Sequence, residues 1–261
     1  MSDIPFVSRS DAGGATTLTL NRPESRNALS LGMLKTLALE LNRAAEDPTV
    51  RVVILKGAGP AFCAGHDLKE MRDARFGGAY LEALFAECTK VMLAILNLPQ
   101  PVIAQVHGVA TAAGCQLVAT CDLALAAEDA RFATPGVNIG LFCSTPMVAL
   151  SRNVGRKAAM RMLLTGELID AGTAVRIGLI NEAAPAAELA HRTAALAATI
   201  VAKSPLVLAI GKEAFYRQAE LSLADAYAYT ARVMAHNLAK RDAQEGIGAF
   251  LDKRDPVWSG R

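Results

Sequence analysis

Apolar and polar positions follow two periods along the first two-thirds of the chain. TTLTL at 16–20 alternates and VVIL at 52–55 is a continuous apolar, mostly β-branched run, so both predict strands. Between them Leu34, Leu37, Leu41, Ala44 and Ala45 recur at steps of three and four behind Ser30, which predicts a helix with a capping hydroxyl. A second stripe of Leu81, Leu84, Phe85, Cys88, Val91, Met92 and Ile95 predicts another helix, ended by Pro99 and Pro101 before a strand at VIAQV. The small residues of ATAAGCQLVAT, 110–120, predict a tightly packed helix, and DLALAA at 122–127 a buried strand. Strands separated by helices predict an α/β fold with parallel pairing through right-handed crossovers. From about Arg156 the pattern becomes almost wholly helical, with helices expected over 187–202, 205–218, 222–240 and 243–253. No internal repeat, low-complexity tract or linker separates the two textures.

The composition supports a folded chain: 261 residues, 52% hydrophobic and 20% charged, exclude a disordered protein. A net charge of +2 without long single-sign runs counts against nucleic acid as a partner. Cys63, Cys88, Cys115, Cys121 and Cys143 are scattered and contain no C-x-x-C, so neither a disulfide framework nor a zinc site is expected. Reduced thiols, an opening without a leader pattern and the lack of eighteen consecutive apolar residues lead to the expectation of a cytoplasmic protein with no membrane partner.

G-x-x-x-x-G-K-[ST], H-E-x-x-H and G-x-S-x-G are all absent, which removes support for nucleotide, zinc-dependent and serine hydrolysis. The four histidines lie far apart, and none is assigned to a metal. Two segments stand out for their backbone: AFCAGHDL at 61–68 and GVATAAGCQL at 108–117 bring small residues to a strand end before a helix. Main-chain N–H groups there can converge on the oxygen of a carbonyl that turns into an anion. Ordinary tight strand-to-helix packing produces the same pattern.

NRPESRNAL (21–29), AFCAGHDLKEM (61–71), HGVATAAGCQLVATCDLALA (107–126), FATPGVNIGL (132–141) and EGIGAFLDKRDPVW (245–258) together resemble the crotonase, or enoyl-CoA hydratase/isomerase, superfamily. The motifs run in order along nearly the whole chain. CQLVATCD and GLFCSTP look most like the branch of enoyl-CoA hydratase domain-containing proteins. The resemblance implies a spiral of ββα units carrying an acyl-CoA site over 1–195 and a helical C-terminal oligomerisation region over 196–261, in one structural unit. It implies a homotrimer or a dimer of trimers, and no permanently bound cofactor, coenzyme A arriving as part of the substrate.

Carried over position by position, the resemblance assigns an oxyanion hole to the N–H groups of His66 and Ala113, the side chains mattering only sterically. Coenzyme A would lie along Ser25, Arg26, Ala64 and Leu68, while Phe250 and Lys253 would reach a cofactor on a neighbouring subunit. Hydratases of the family carry two glutamates where this chain has Gln116 and Gly136. A glutamine amide cannot cycle a proton and a glycine offers none, and one general acid or base is worth ~10²- to 10⁴-fold. Weak or altered hydration is therefore expected, with the space at Gly136 open to a larger acyl group or to a solvent anion acting as base. Asp67, Glu70, Glu87 and Cys143 are the substitutes within reach of the motifs: Asp67 as a helix cap, Glu70 facing outward, Glu87 beside the apolar stripe, Cys143 at a helix start. A non-catalytic acyl-CoA binding or regulatory protein is the competing reading, and RNA binding a third.

Overall fold

The computed structural model describes residues 5–261; the first four residues of the opening just discussed lie outside them. β1 (Val7–Ala12) and β2 (Ala15–Leu20) form an antiparallel hairpin. Ser30 caps α1 (Leu31–Glu46), its Oγ accepting the Met33 N–H at 3.1 Å, and the chain returns as β3 (Val52–Gly57), parallel to β2. α2 (Leu68–Asp73) and α3 (Gly78–Asn97) lead to β4 (Val102–Val106). β5 (Val109–Thr111), α4 (Ala113–Thr120) and β6 (Leu123–Ala127) follow. Next come β7 (Arg131–Ala133), α5 (Pro146–Asn153), α6 (Arg156–Thr165), β8 (Ile169–Asp170), α7 (Ala171–Arg176) and β9 (Glu182–Ala184). The chain ends in α8 (Leu189–Val201), α9 (Pro205–Gln218), α10 (Leu223–Leu238) and α11 (Arg241–Leu251).

The main sheet has the order β1-β2-β3-β4-β6-β9, parallel from β2 onward, and β5-β7-β8 form a second, smaller sheet. Alternation along β3 explains why the main sheet is buried on both faces. Val53 and Leu55 face the large core with Leu34, Leu84, Leu117 and Phe132, whereas Val52 and Ile54 face Leu189 and Ala197 of α8. α8 thus belongs to the sheet and runs through position 195; the tail that leaves the sheet starts at Ser204, the cap of α9.

The mixed α/β class with a helical C-terminal region is as expected, and the strands at 16–20, 52–55, 102–106 and 122–127 lie where the pattern put them. The expectation of an almost wholly helical stretch from Arg156 is corrected at β8 and β9. β9 is the sequence EAA, indistinguishable from helix by composition, and becomes a strand because it pairs with β6 through Leu125↔Glu182. β5 likewise sits inside a segment expected to be helical, and the helix begins only at Ala113. Among the described residues no single helix is long and apolar enough to cross a membrane.

Candidate functional site

Three segments run parallel and end together. Cys63 bridges Ala110, with its N–H donating to the Val109 carbonyl at 3.1 Å and its carbonyl accepting the Thr111 N–H at 3.0 Å. β5 in turn pairs with β7 through Ala110↔Phe132 and Thr111↔Ala133, and the Ala112 N–H donates to the Ala133 carbonyl at 2.9 Å. Past the last pair the two segments stay in contact, since a Cβ on Gly65, next to His66, would lie 3.4 Å from the Ala113 nitrogen. On the other flank Leu29 bridges His66, the Leu29 N–H donates to the Gly65 carbonyl at 2.7 Å, and the Ala64 N–H to the Arg26 carbonyl at 3.0 Å. Four of the sequence motifs therefore meet at one edge.

At that edge neither the His66 N–H nor the Ala113 N–H donates to another described residue. Two backbone features leave them free. Gly65 has φ +97°, and a Cβ there would meet the Ala112 Cβ at 2.9 Å. Ala112 adopts φ 50°, ψ −118°, an uncommon conformation for a residue with a Cβ, and so starts α4 with Ala113 as its first helical residue. The Ala113 N–H thus lies at the positive end of an eight-residue helix. Two unpaired donors at one edge can hold a carbonyl oxygen as it gains negative charge.

Around them, Gln116 sits one turn into α4, buried, with Oε1 unpaired among the described residues. The His66 imidazole is wedged edge-on against Phe85 at 5.2 Å between ring centroids, its Nε2 buried and unpaired. Burial alone pushes its pKa down to about 4, so the ring is neutral near pH 7. Its side chain therefore places a polar atom in the interior, beyond the steric role expected of it. The open space expected at Gly136 is not there: a Cβ would lie 2.7 Å from the Leu141 carbonyl oxygen and 2.9 Å from the Cys143 Sγ. The Gly136 N–H donates to that sulfur at 3.3 Å, and burial raises the Cys143 pKa, which keeps it a thiol.

Asp67 caps α2, with Oδ1 accepting the Lys69 and Glu70 N–H groups and Oδ2 the Arg22 guanidinium at 3.0 Å. Burial pushes its carboxyl up, but these donors outweigh it and hold the pKa below the ordinary value. Glu70 does not face outward as expected; its Oε2 turns back to accept the Leu31 N–H at 3.1 Å. Glu87 pairs with Lys90 on its own helix at 3.0 Å.

Ser25, Arg26, Ala64 and Leu68 lie on neighbouring stretches of backbone, with Arg26 and Leu68 exposed. Phe250, 82% exposed, and Lys253 lie apart at the end of α11, which packs on α9 and α10. Sequence reasoning missed three residues: Thr134, fully buried with an unpaired hydroxyl; Arg22; and Asn27, whose Nδ2 donates to the Ala58 and Ala61 carbonyls at 2.8 Å. The available signal for Asn27 is a buried-type polar residue flanked by Arg26 and Ala28 inside NRPESRNAL.

The sequence profile described as enoyl-CoA hydratase/isomerase matches residues 11–261. "Enoyl-CoA hydratase domain-containing protein 3, mitochondrial" of Xenopus laevis is 50% identical over 99% of this chain and 88% of its own length. The crystal structure of enoyl-CoA hydratase from Mycobacterium smegmatis superposes with a TM-score of 0.95 at 54% identity, covering 98% of this chain and 99% of that one. That of human enoyl-CoA hydratase domain-containing protein 3 gives 0.94 at 49%, covering 97% and 100%. The cytoplasmic expectation does not stand, because the Xenopus laevis, Mus musculus and Homo sapiens relatives are named as mitochondrial. Unpaired thiols separate reducing from oxidising surroundings and do not tell one reducing compartment from another.

Proposed function

The chain belongs to the enoyl-CoA hydratase/isomerase family, in the branch of enoyl-CoA hydratase domain-containing protein 3, and we propose on that footing that it binds an acyl-CoA thioester. The thioester oxygen accepts hydrogen bonds from the His66 and Ala113 N–H groups, which stabilise the enolate form. The observation that carries this reading is that neither N–H group has a partner among the described residues and that Gly65, next to His66, packs against the Ala113 nitrogen at the start of α4. Coenzyme A enters with the substrate along the backbone of Ser25, Arg26, Ala64 and Leu68. Phe250 and Lys253 serve a neighbouring subunit in a trimer or dimer of trimers.

Gln116 and Gly136 leave the site without a carboxylate pair, and Asp67, Glu70 and Glu87 are already engaged. Hydration of an enoyl thioester is accordingly weak. The packing of Leu141 and Cys143 against Gly136 favours a second reading, a non-catalytic acyl-CoA binding or regulatory protein, since a side chain placed there would meet both.

Calorimetric titration with acetyl- and crotonyl-CoA, following the crotonyl double bond by absorbance, tests both readings. Binding of each ligand that is lost in a folded Ala113→Pro variant supports the N–H pair, because proline fits the first position of a helix, removes that donor and puts a ring carbon where its hydrogen pointed. Loss of the double bond separates the enzyme from the binding protein. Absence of binding overturns both.

A further inference from the structure

One buried cation of the C-terminal tail reaches the ends of the helices that carry the site. Lys212 lies on α9 with its side chain only 7% exposed. Its Nζ donates to the Ile95 carbonyl at 2.9 Å, the Gln100 carbonyl at 3.0 Å and the Asp122 carboxylate at 2.7 Å. An ammonium has three N–H donors, so all of them are used. Ile95 is in the last turn of α3, where carbonyls lack partners inside the helix and the dipole favours a positive charge. The same helix presents Phe85 to the His66 ring. Asp122 stands two residues beyond α4; its Oδ2 also accepts the Val102 N–H at the start of β4 at 2.7 Å, and its Oδ1 accepts the Tyr216 hydroxyl of α9 at 2.8 Å. α4 is buried along all eight residues and opens with Ala113, so a shift at its far end carries the Ala113 N–H with it. Thr120 Oγ1 lies 3.4 Å from Met92 Sδ, which sets the end of α4 against α3.

We propose that Lys212 is a positioning residue for the acyl-CoA site, holding α3 and α4 in the arrangement that aims the Ala113 and His66 N–H groups at one thioester oxygen. The proposal rests on the acyl-CoA reading and adds to it a residue outside every motif that lines the site. The argument concerns direction rather than stability. A buried ion pair loses in desolvation roughly what it gains in attraction, so apolar packing of the same volume would seat α9 equally well. Apolar packing does not fix direction, whereas the ammonium and carboxylate tie α9 to α3, to β4 and to the end of α4 through hydrogen bonds of restricted length and angle. Oxyanion donors need that restriction, because a misplacement of about 1 Å can cost on the order of a hundredfold in rate. Lys212 acts through the two helices and not on the ligand.

The test uses the full chain with Lys212→Met combined with Asp122→Asn, which removes both charges so that neither is left buried alone and keeps an acceptor for the Val102 N–H. Tyr216→Phe, which deletes one hydroxyl, carries the test if the double variant does not fold. Two ligands are compared by calorimetry: coenzyme A, which has no thioester carbonyl, and cinnamoyl-CoA, whose conjugated carbonyl absorbs at longer wavelength when donors polarise its oxygen. On the wild-type chain we expect bound cinnamoyl-CoA to shift to the red. In the double variant the affinity for coenzyme A is expected to stay within about twofold while that for cinnamoyl-CoA falls about tenfold, the size of one well-aimed hydrogen bond. The red shift at saturation shrinks in the same variant, and by less in Tyr216→Phe. A red shift that keeps its wild-type size in the folded variants overturns the proposal. An equal loss of affinity for both ligands also overturns it, because a purely structural anchor would weaken both alike. Wild-type binding without a red shift overturns it too, since the oxygen is then not held by donors. Absence of wild-type binding removes the acyl-CoA reading, and the role of Lys212 with it.

Discussion

Gly136 decides how far single substitutions can restore lost chemistry. Its Cβ position is occupied on one side by the Leu141 carbonyl oxygen and on the other by Cys143 Sγ. Gly136→Ala is therefore expected to destabilise the chain by roughly 1–3 kcal/mol, as overpacked sites do, measured by urea unfolding. For the same reason Gln116→Glu combined with Gly136→Glu restores no hydration of crotonyl-CoA, although matching the family's motif invites that design. A gain in that assay shows that residues 141–143 yield more easily than the packing implies. His66 gives a second measurable effect. Its folded pKa, near 4, lies below the ordinary 6.5, so between these values the unfolded chain binds a proton that the folded one refuses. Stability is expected to fall as pH drops through that window, and His66→Phe to flatten the profile. The caps Ser30 and Asp67 were legible in the sequence, because each depends on neighbours a few residues away, whereas Gln116 and Gly136 were singled out only through the family resemblance. Thr134 was not legible, since its burial comes from the β5–β7 pairing, which the letters FATPG do not encode.

Element length governed what could be read at the next scale. α1, α3 and α9–α11 carry enough turns for a stripe to emerge, and β2, β3, β4 and β6 are long or apolar enough to declare themselves. β5, β7 and β9 have three residues each, too few for any period, and exist because a neighbouring strand offers hydrogen bonds. The C-terminal strap was invisible for a related reason: it is held by side chains distant in sequence. Buried Asp242 accepts the Ser204 hydroxyl at 2.6 Å, together with the Ser259 and Gly260 N–H groups, and the Trp258 indole donates to the Ala202 carbonyl. Burial pushes the Asp242 carboxyl up, yet these donors prevail and bring it down to about 2, below its ordinary 3.8. The strap is thus fully held above about pH 4 and loosens as pH falls toward 2. Asp242→Ala leaves several donors unmet and is expected to cost on the order of 2 kcal/mol, with faster hydrogen exchange over 202–207 and 242–260 as the local signature. Uniform exchange along the chain means instead that the strap unfolds only with the rest.

Large apolar side chains are exposed in two stretches above all, over residues 139–168 and along the C-terminal helices. α9, α10 and α11 expose Phe215, Leu223, Tyr227, Met234, Ile247 and Phe250, with Leu223 at 76% and Phe250 at 82%. Large exposed apolar side chains on a folded chain make this surface a candidate for association between copies. The tail is nonetheless firmly seated on the core: Lys212 Nζ donates to Asp122 at 2.7 Å and to the Ile95 and Gln100 carbonyls, and the Tyr216 hydroxyl donates to Asp122 at 2.8 Å. A rigid base beneath an apolar outer face suits association between copies, and it links assembly to ligand binding if Phe250 and Lys253 reach a neighbour's coenzyme A. Leu223→Glu with Phe250→Glu is expected to lower the mass measured by light scattering to that of one chain, with unchanged far-ultraviolet circular dichroism. Affinity for acetyl-CoA should fall in the same variant, whereas Lys253→Gln should weaken that affinity while leaving the mass untouched. A reduced mass with undiminished affinity detaches the tail from the ligand and confines the coenzyme A contacts to Ser25, Arg26, Ala64 and Leu68. An unchanged mass shows that copies associate through another face.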